Sequence, residues 1–455
     1  MKKVRKIIER IKNSDFIKNI ITLASGNIIG YGINLLVLPI ISRLYSQSAL
    51  GGYDLIISTA SMFLTILQLS LILVIMIPKD DAEARRVCKI IGYMTVGGSV
   101  ALVFIFSMLS PKFYLFKLDI SYRRGLILFA SYLIFYNLQN IYYSYVNRNK
   151  LYKVLFWNPI IMAIINGGLS SIFGILNLGT VGYLSGTILS YVFAIWHMRR
   201  YVHPFRGKDT VKELWNTLKK FKNYPLIQLP ANLISSTALQ LPSQFLGRMF
   251  STAVLGGYTM ACKILSVPVS LLATPVNRVY YRTLVEKVGK KENAGEFAFS
   301  VIKGNIKIAI IPIGILMIFG DIITSFVLGE EWRISGTYIT ITGIMYLLKY
   351  CSACMSGTFV AVGRQKLSVY SSMITLFLHG IVFAVAFYWK FTVIQTIILY
   401  TFFASISEMI MLMLCMYCLN IALIRYLKFI LKYIFGSAIS IYAIYTVKMW
   451  ILRNL

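Results

Sequence analysis

The sequence predicts an all-α polytopic membrane protein of about twelve transmembrane helices, arranged as two six-helix pseudo-repeat bundles. Three observations carry that expectation. The 455 residues are 58% hydrophobic and only 14% charged, too apolar to cover a soluble globule with polar surface. Apolar runs of ~20 residues, long enough to cross a bilayer core of ~30 Å, recur throughout. Finally, Arg43-Leu-Tyr-Ser-Gln-Ser-Ala-Leu-Gly-Gly-Tyr53 returns as Arg248-Met-Phe-Ser-Thr-Ala-Val-Leu-Gly-Gly-Tyr258, a constant shift of 205 positions. Asn27 and Asn232 keep the same offset. A membrane chain that repeats itself at half its length follows the plan of transporters that hold substrate between two halves. Strict polar/apolar alternation is absent, which argues against a membrane β-barrel.

In order, the first six spans fall near 17–42, 50–77, 90–109, 125–146, 154–176 and 180–198. The second six fall near 226–247, 252–279, 306–328, 336–362, 367–389 and 393–419. The Gly-Gly-Tyr element opens the second span and, in its copy, the eighth. Pro39, Pro230, Pro242, Pro268 and Pro275 interrupt the first pair of spans in each half, as do Gly26, Gly30 and Gly32 in span one. Proline removes a helix hydrogen bond and kinks the axis. The basic start, MKKVRKIIERIKNSD, reads as a short amphipathic helix and not as a secretory signal, so the N-terminus is expected in the cytoplasm.

The net charge of +30, from 46 Lys+Arg against 16 Asp+Glu, would suggest nucleic acid in a soluble protein. Here the basic residues sit at the ends of apolar runs, so topology accounts for them and no nucleic acid is expected. With the N-terminus inside, about 34 basic residues fall in inner segments and about 8 outside, an asymmetry that a miscounted span would destroy. The exception is the loop between spans three and four, with Lys112, Lys117, Arg123 and Arg124 outside.

The segment 199–222 separates the halves. Its piece VKELWNTLKKFK places Leu214, Trp215, Leu218 and Phe221 on one face and reads as an interfacial helix on anionic headgroups. The expected organisation is an N-terminal bundle with its linker at 1–215, a C-terminal bundle at 216–420 and a tail at 421–455. The apolar stretch 435–447 is either a thirteenth span or a helix along the membrane.

Ionisable residues inside spans cost about 2.5–3.5 kcal/mol each on insertion scales and need a reason. Lys263, Lys349, His379 and Glu408 all fall mid-span in the second half. The first half offers amides instead: Asn27, Asn34, Gln68, Asn137, Gln139, Asn140, Asn158 and Asn166. Lys263 and Lys349 suit an anionic phosphate or pyrophosphate headgroup, or else pair with Glu or Tyr to fix packing. Glu408 is a candidate coupling carboxylate, or a permanent counter-charge. His379 is a candidate proton site, though a lone His on an apolar helix more often bonds a neighbour. Asp54 is either a third coupling candidate or a charge near a helix N-terminus. Arg43 and Arg248 can bind a phosphate, but a tight extracellular hairpin is the favoured reading of their repeat. Asn27, Asn232, Gln68 and Gln240 are the candidate polar cavity residues.

Cys351-Ser-Ala-Cys354 and Cys415-Met-Tyr-Cys418 have zinc half-site spacing, but they lie in apolar helices without a nearby His. Packing is the better account, and no metal or cofactor is expected. No Walker loop, Ser/His/Asp set or paired carboxylates suggest an enzyme.

The stretch LASGNIIGYGINLLVLPIISRLYSQSALGGYDL resembles the first helix pair of bacterial Wzx-type polysaccharide flippases, members of the multidrug/oligosaccharidyl-lipid/polysaccharide exporter superfamily. The resemblance is specific from Arg43 to Tyr53 and extends to the twelve-span plan, the basic mid-loop and the second-half copy. The family's Gly-Pro or Thr-Pro after the outer Arg is replaced here by Tyr-Ser-Gln-Ser. The resemblance implies two bundles forming a V around a central, often cationic, cavity. It implies movement of undecaprenyl-diphosphate-linked oligosaccharide across the bacterial cytoplasmic membrane by alternating access, coupled to a proton or sodium ion. A polysaccharide polymerase and glycosyltransferases would be its partners. The rival readings are a multidrug or cation antiporter of the same superfamily, a lipid II flippase, and a non-transporting scaffold or polymerase.

Overall fold

A computed structural model describes residues 15–108, 121–290 and 292–429, with scattered positions 431, 432, 436, 443 and 446 beyond. The expected N-terminal amphipathic helix, Lys112 and Lys117 of the outer loop, and most of the 435–447 stretch lie outside the described residues.

Among the described residues the chain is helical throughout. The first six long helices are α1 (Asp15–Leu44), α2 (Gln47–Leu67), α3 (Asp81–Met108), α4 (Tyr122–Arg148), α5 (Tyr152–Ile175) and α6 (Gly179–Arg199). The linker helix is α7 (Val211–Lys220). The second six are α8 (Leu229–Met249), α9 (Thr252–Gly289), α10 (Ala294–Leu328), α11 (Arg333–Met355), α12 (Lys366–Tyr388) and α13 (Val393–Cys418). Twelve of these thirteen match the expected spans. Ten are apolar and long enough to cross a membrane by composition alone. The other two, α4 and α8, carry the heaviest load of amides, tyrosines and serines. Where the long helices meet no protein they present apolar side chains: Phe326 on α10 is 81% exposed, a surface suited to lipid.

Span two is broken. After α2 ends, Leu69 and Ser70 take left-handed backbone (φ 49 and 56), and a 3₁₀ segment follows at Leu71–Met76. Non-glycine residues enter this region only where neighbours hold them. Here Ser70 Oγ accepts from Asn232 Nδ2 at 3.0 Å, and Gln68 Nε2 donates to Asn137 Oδ1 at 3.0 Å. Beyond the break, Arg148 at the end of α4 donates to the carbonyls of Ile75 (3.3 Å) and Pro78 (2.6 Å) and pairs with Asp81 at 3.0 Å.

By contact the chain falls into two units, Met1–Ser236 and Thr237–Leu455, so α8 contributes to both. The linker belongs to the first unit for an electrostatic reason. Asp209 accepts from Lys89 and from Arg86 Nε at 2.9 Å, and Glu213 accepts from Arg86 at 3.2 Å. Thr210 and Glu213 form a capping box that starts α7. Leu214, Leu218 and Phe221 pack into the core beneath, as their spacing predicts. Trp215 does not join them: it is 56% exposed, rotated to the basic side beside Lys219. Successive residues turn ~100° around a helix, and Trp215 falls just past the edge of the buried arc.

Within the first unit α1 packs on α5, α5 on α6, and α4 on both α3 and α6. The α1–α5 seam is a small-residue approach. A Cβ on Gly26 would strike the Phe156 carbonyl, and one on Gly30 would lie 3.0 Å from the Pro159 carbonyl oxygen. The spacing Gly26-xxx-Gly30 brings two backbones together where lipid supplies no hydrophobic drive. In the second unit α11 is central, packed on α9, α10 and α13, with α12 on α13.

Candidate functional site

The two copies of the repeated element build the same local structure. Ser46 Oγ accepts from the Ala49 amide at 3.2 Å and caps α2; Ser251 Oγ accepts from the Val254 amide at 3.2 Å and caps α9. Helix starts leave unpaired amides, and a serine oxygen satisfies one of them. Each Gly-Gly-Tyr tyrosine then meets a tyrosine on the sixth long helix of its own unit. Tyr53 lies edge-on to Tyr183 at 4.4 Å, and Tyr258 edge-on to Tyr400 at 6.4 Å. The motif is thus a hairpin with a cap and an aromatic anchor. Both of its arginines are exposed, and Arg248 also borders a cavity of ≈ 800 Å³ with Lys390 and the rings of Phe245, Phe250, Phe387 and Phe391.

A second cavity, ≈ 540 Å³, lies inside the first unit among α1, α2, α4, α5 and α6. From α1 come Asn27, Tyr31 and Asn34, spaced to share one helix face. The α4 wall supplies Tyr136, Gln139, Asn140 and Tyr143. Asn158 and Asn166 come from α5, and Thr187, Ser190 and Tyr191 from α6. The floor is bonded internally. Gln139 Nε2 donates to Asn158 Oδ1 at 3.1 Å, and Thr187 Oγ1 donates to Asn166 Oδ1 at 3.3 Å. Six of the eight amides expected from the sequence line this cavity. Gln68 and Asn137 instead bond each other, and Asn137 Nδ2 donates to Thr95. Asn232 is held by Gln228 and Ser70, and Gln240 sits half-buried on α8. The tyrosines of the wall were not singled out from sequence; the Asn27/Tyr31/Asn34 spacing is the signal that finds Tyr31.

The intramembrane charges of the second unit are spread over four helices. Lys349 lies on α11 with its ammonium 5.1 Å from the Tyr346 ring centre, and α11 packs against α13, which carries Glu408. Ser352, one turn along α11, donates to Glu408 and lies 3.1 Å from the Lys349 carbonyl. His379 is 5% exposed, with Nδ1 3.1 Å from the Ala238 carbonyl and its ring 5.0 Å from Tyr400. Lys263 is half-buried on α9, which packs against α11. Asp54 lies on α2 with Oδ2 buried. The four cysteines of the two Cys-x-x-Cys pairs are buried free thiols.

Residues 40–337, about two thirds of the chain, match the family described as polysaccharide biosynthesis protein. The chain belongs to that family. The fold of this chain is recognisable among solved transporters. The lipid II flippase MurJ in an inward closed conformation superposes with a TM-score of 0.68 at 14% identity, covering 95% of this chain and 93% of that one. An inward-facing multidrug resistance MATE transporter of the MOP superfamily gives 0.60 at 14%, covering 87% and 94%. A MOP superfamily transporter from Pyrococcus furiosus gives 0.57 at 17%, covering 91% and 98%. At such identities the likeness establishes the fold alone. No curated protein matches this chain in sequence. This polysaccharide biosynthesis family member therefore has the MOP-superfamily helical fold, in keeping with the Wzx-type resemblance of its first helix pair.

Proposed function

We propose that this chain is a flippase that moves undecaprenyl-diphosphate-linked oligosaccharide from the cytoplasmic to the outer leaflet of a bacterial cytoplasmic membrane. The observation that carries the reading is Lys349: a cation inside a span, on a helix packed against the one that carries Glu408, in a chain of the polysaccharide biosynthesis family. An intramembrane cation needs a compensating anion, and a diphosphate is one that can come and go. Lys349 and Lys263 draw in the diphosphate, and Arg248 receives it at the outer end. Glu408 takes up a proton or sodium ion that resets alternating access. Glycosyltransferases supply the substrate and a polymerase consumes it; the protein itself makes and breaks no covalent bond. The cavity of the first unit carries no carboxylate, which weighs against a multidrug cation antiporter.

The test is rescue. In a bacterial strain lacking its own repeat-unit flippase, the chain restores surface polysaccharide, while Lys349→Ala at equal membrane abundance lowers export at least about tenfold, the loss of one charge-assisted contact. Full export by Lys349→Ala, or dye resistance dependent on Glu408 in place of glycan export, overturns the reading.

A further inference from the structure

The cavity of the first unit has a chemistry that the diphosphate does not explain. None of its lining residues carries a charge at neutral pH: the wall is amide, phenol and hydroxyl. Several of these polar groups are deeply buried: Asn158 and Ser190 are 2% exposed, Thr187 4% and Gln139 6%. Burying so many polar groups inside a membrane protein is costly unless they are satisfied. The floor satisfies itself through the Gln139–Asn158 and Thr187–Asn166 bonds, which also lock those side chains in place. The rest of the lining is accessible: Asn27 and Asn34 are exposed and Asn140 is half-buried, and the side-chain amides of all three border the cavity and bond to no described side chain or backbone group, so they are free to meet a ligand. Each offers a paired donor and acceptor, the geometry that engages adjacent hydroxyls. Tyr31, Tyr136 and Tyr143 present rings with a polar tip beside them. The volume of ≈ 540 Å³ lies within the ~300–1,000 Å³ of small-molecule sites.

We propose that this cavity is a binding subsite for an uncharged sugar, one or two residues of a neutral or N-acetylated oligosaccharide. The inference deepens the proposed function and rests on it for the identity of the natural cargo. It adds a restriction on that cargo: the sugar seated here bears no carboxylate. A uronic acid would enter a site whose lining has no cation to receive it, and a buried unpaired charge is strongly disfavoured.

The experiment uses the purified full chain in nanodiscs and two soluble probes free of lipid and phosphate. These are N,N′-diacetylchitobiose and a disaccharide of similar size carrying a glucuronic acid. Saturation-transfer NMR reads binding. The neutral disaccharide is expected to bind saturably, and the uronate at least about tenfold more weakly. Asn140→Ala and Asn34→Ala each weaken the neutral probe about tenfold, the loss of a hydrogen-bonding amide. Asn34 is exposed, so Asn34→Ala tests the site without disturbing the core, and its melting temperature is measured alongside. Equal binding of the uronate, no saturable binding, or binding insensitive to both asparagine variants overturns the subsite. A separate titration with a short-chain prenyl diphosphate that carries no sugar reports on the diphosphate site alone. Failure of the diphosphate reading and failure of the sugar subsite are thereby told apart.

Discussion

His379 Nδ1 stands 3.1 Å from the carbonyl of Ala238, the residue four positions before Pro242. Proline has no amide hydrogen, so that carbonyl lacks its helical donor. In a membrane no water replaces it, and the imidazole of a neighbouring helix does. Because a carbonyl can only accept, the contact requires the hydrogen on Nδ1. His379→Ala should lower stability by about 1 kcal/mol, in the range of interhelical hydrogen bonds in bilayers. With Pro242→Ala the helix supplies its own donor, and the same His379→Ala should then cost clearly less. A double-mutant cycle of thermal unfolding in detergent checks this; strictly additive effects would refute the pairing.

The repeated serines are helix caps. Ser46→Ala and Ser251→Ala should each cost about 1 kcal/mol, while aspartate at either position preserves the cap. Unfolding midpoints of the four single variants decide the matter, and equal losses for alanine and aspartate would count against it.

The α1–α5 seam separates two kinds of glycine. Gly30→Leu drives a side chain into the Pro159 backbone and should abolish folding or cost several kcal/mol, as overpacking and backbone shifts do. Gly32, only two residues on, has nothing within 4 Å of where a Cβ would stand, so Gly32→Ala should be silent or mildly stabilising. Membrane abundance and melting temperature distinguish them.

The linker should loosen in acid. The hydrogen bond from Lys89, aided by Arg86, holds the Asp209 carboxyl below its ordinary range. A carboxylate depressed in the folded state stabilises fully above the unfolded value of ~4 and loses that contribution as pH falls through the folded one. Asp209→Asn should mimic the acid state at pH 7, with severalfold faster proteolytic nicking between Arg199 and Lys222. If the variant and the parent are cut at equal rates, α7 is not held by this clamp.

Ser352 on α11 donates to the Glu408 carboxylate on α13. If Glu408 couples the transport cycle, Glu408→Gln keeps protein level and substrate binding but lowers glycan export about tenfold or more. Ser352→Ala, which removes a donor to that carboxylate, shifts the pH dependence of export without abolishing it. Export by Glu408→Gln at the parent's rate and pH profile would make Glu408 a packing residue.

Hydropathy and charge patterning, which act locally along the chain, together gave the span count: the twelve expected spans became twelve helices, ten of them apolar enough to cross on composition alone, with ends within a turn or two of expectation at most boundaries. Larger departures have local causes. Helix α10 starts at Ala294, ahead of its apolar run, because Asn293 caps it through the Glu296 amide. Span two stops at Leu67 because Leu69 and Ser70 turn left-handed, a choice made by Asn232 and Asn137 from distant parts of the chain. The repeat was legible as a duplication, but its serine caps and tyrosine anchors emerged only with the helices placed.

What the sequence by itself determined is which segments enter the membrane, which face carries basic charge, and that charges gather in one half and amides in the other. These follow from the cost of polar groups in lipid, which each residue incurs on its own. What only the tertiary structure decided is which of those polar groups meet. Asn27, Asn140 and Asn166 share a cavity wall while Gln68 and Asn137 close on each other, because a rotation of ~100° per residue and the packing angle between helices set the direction of every side chain.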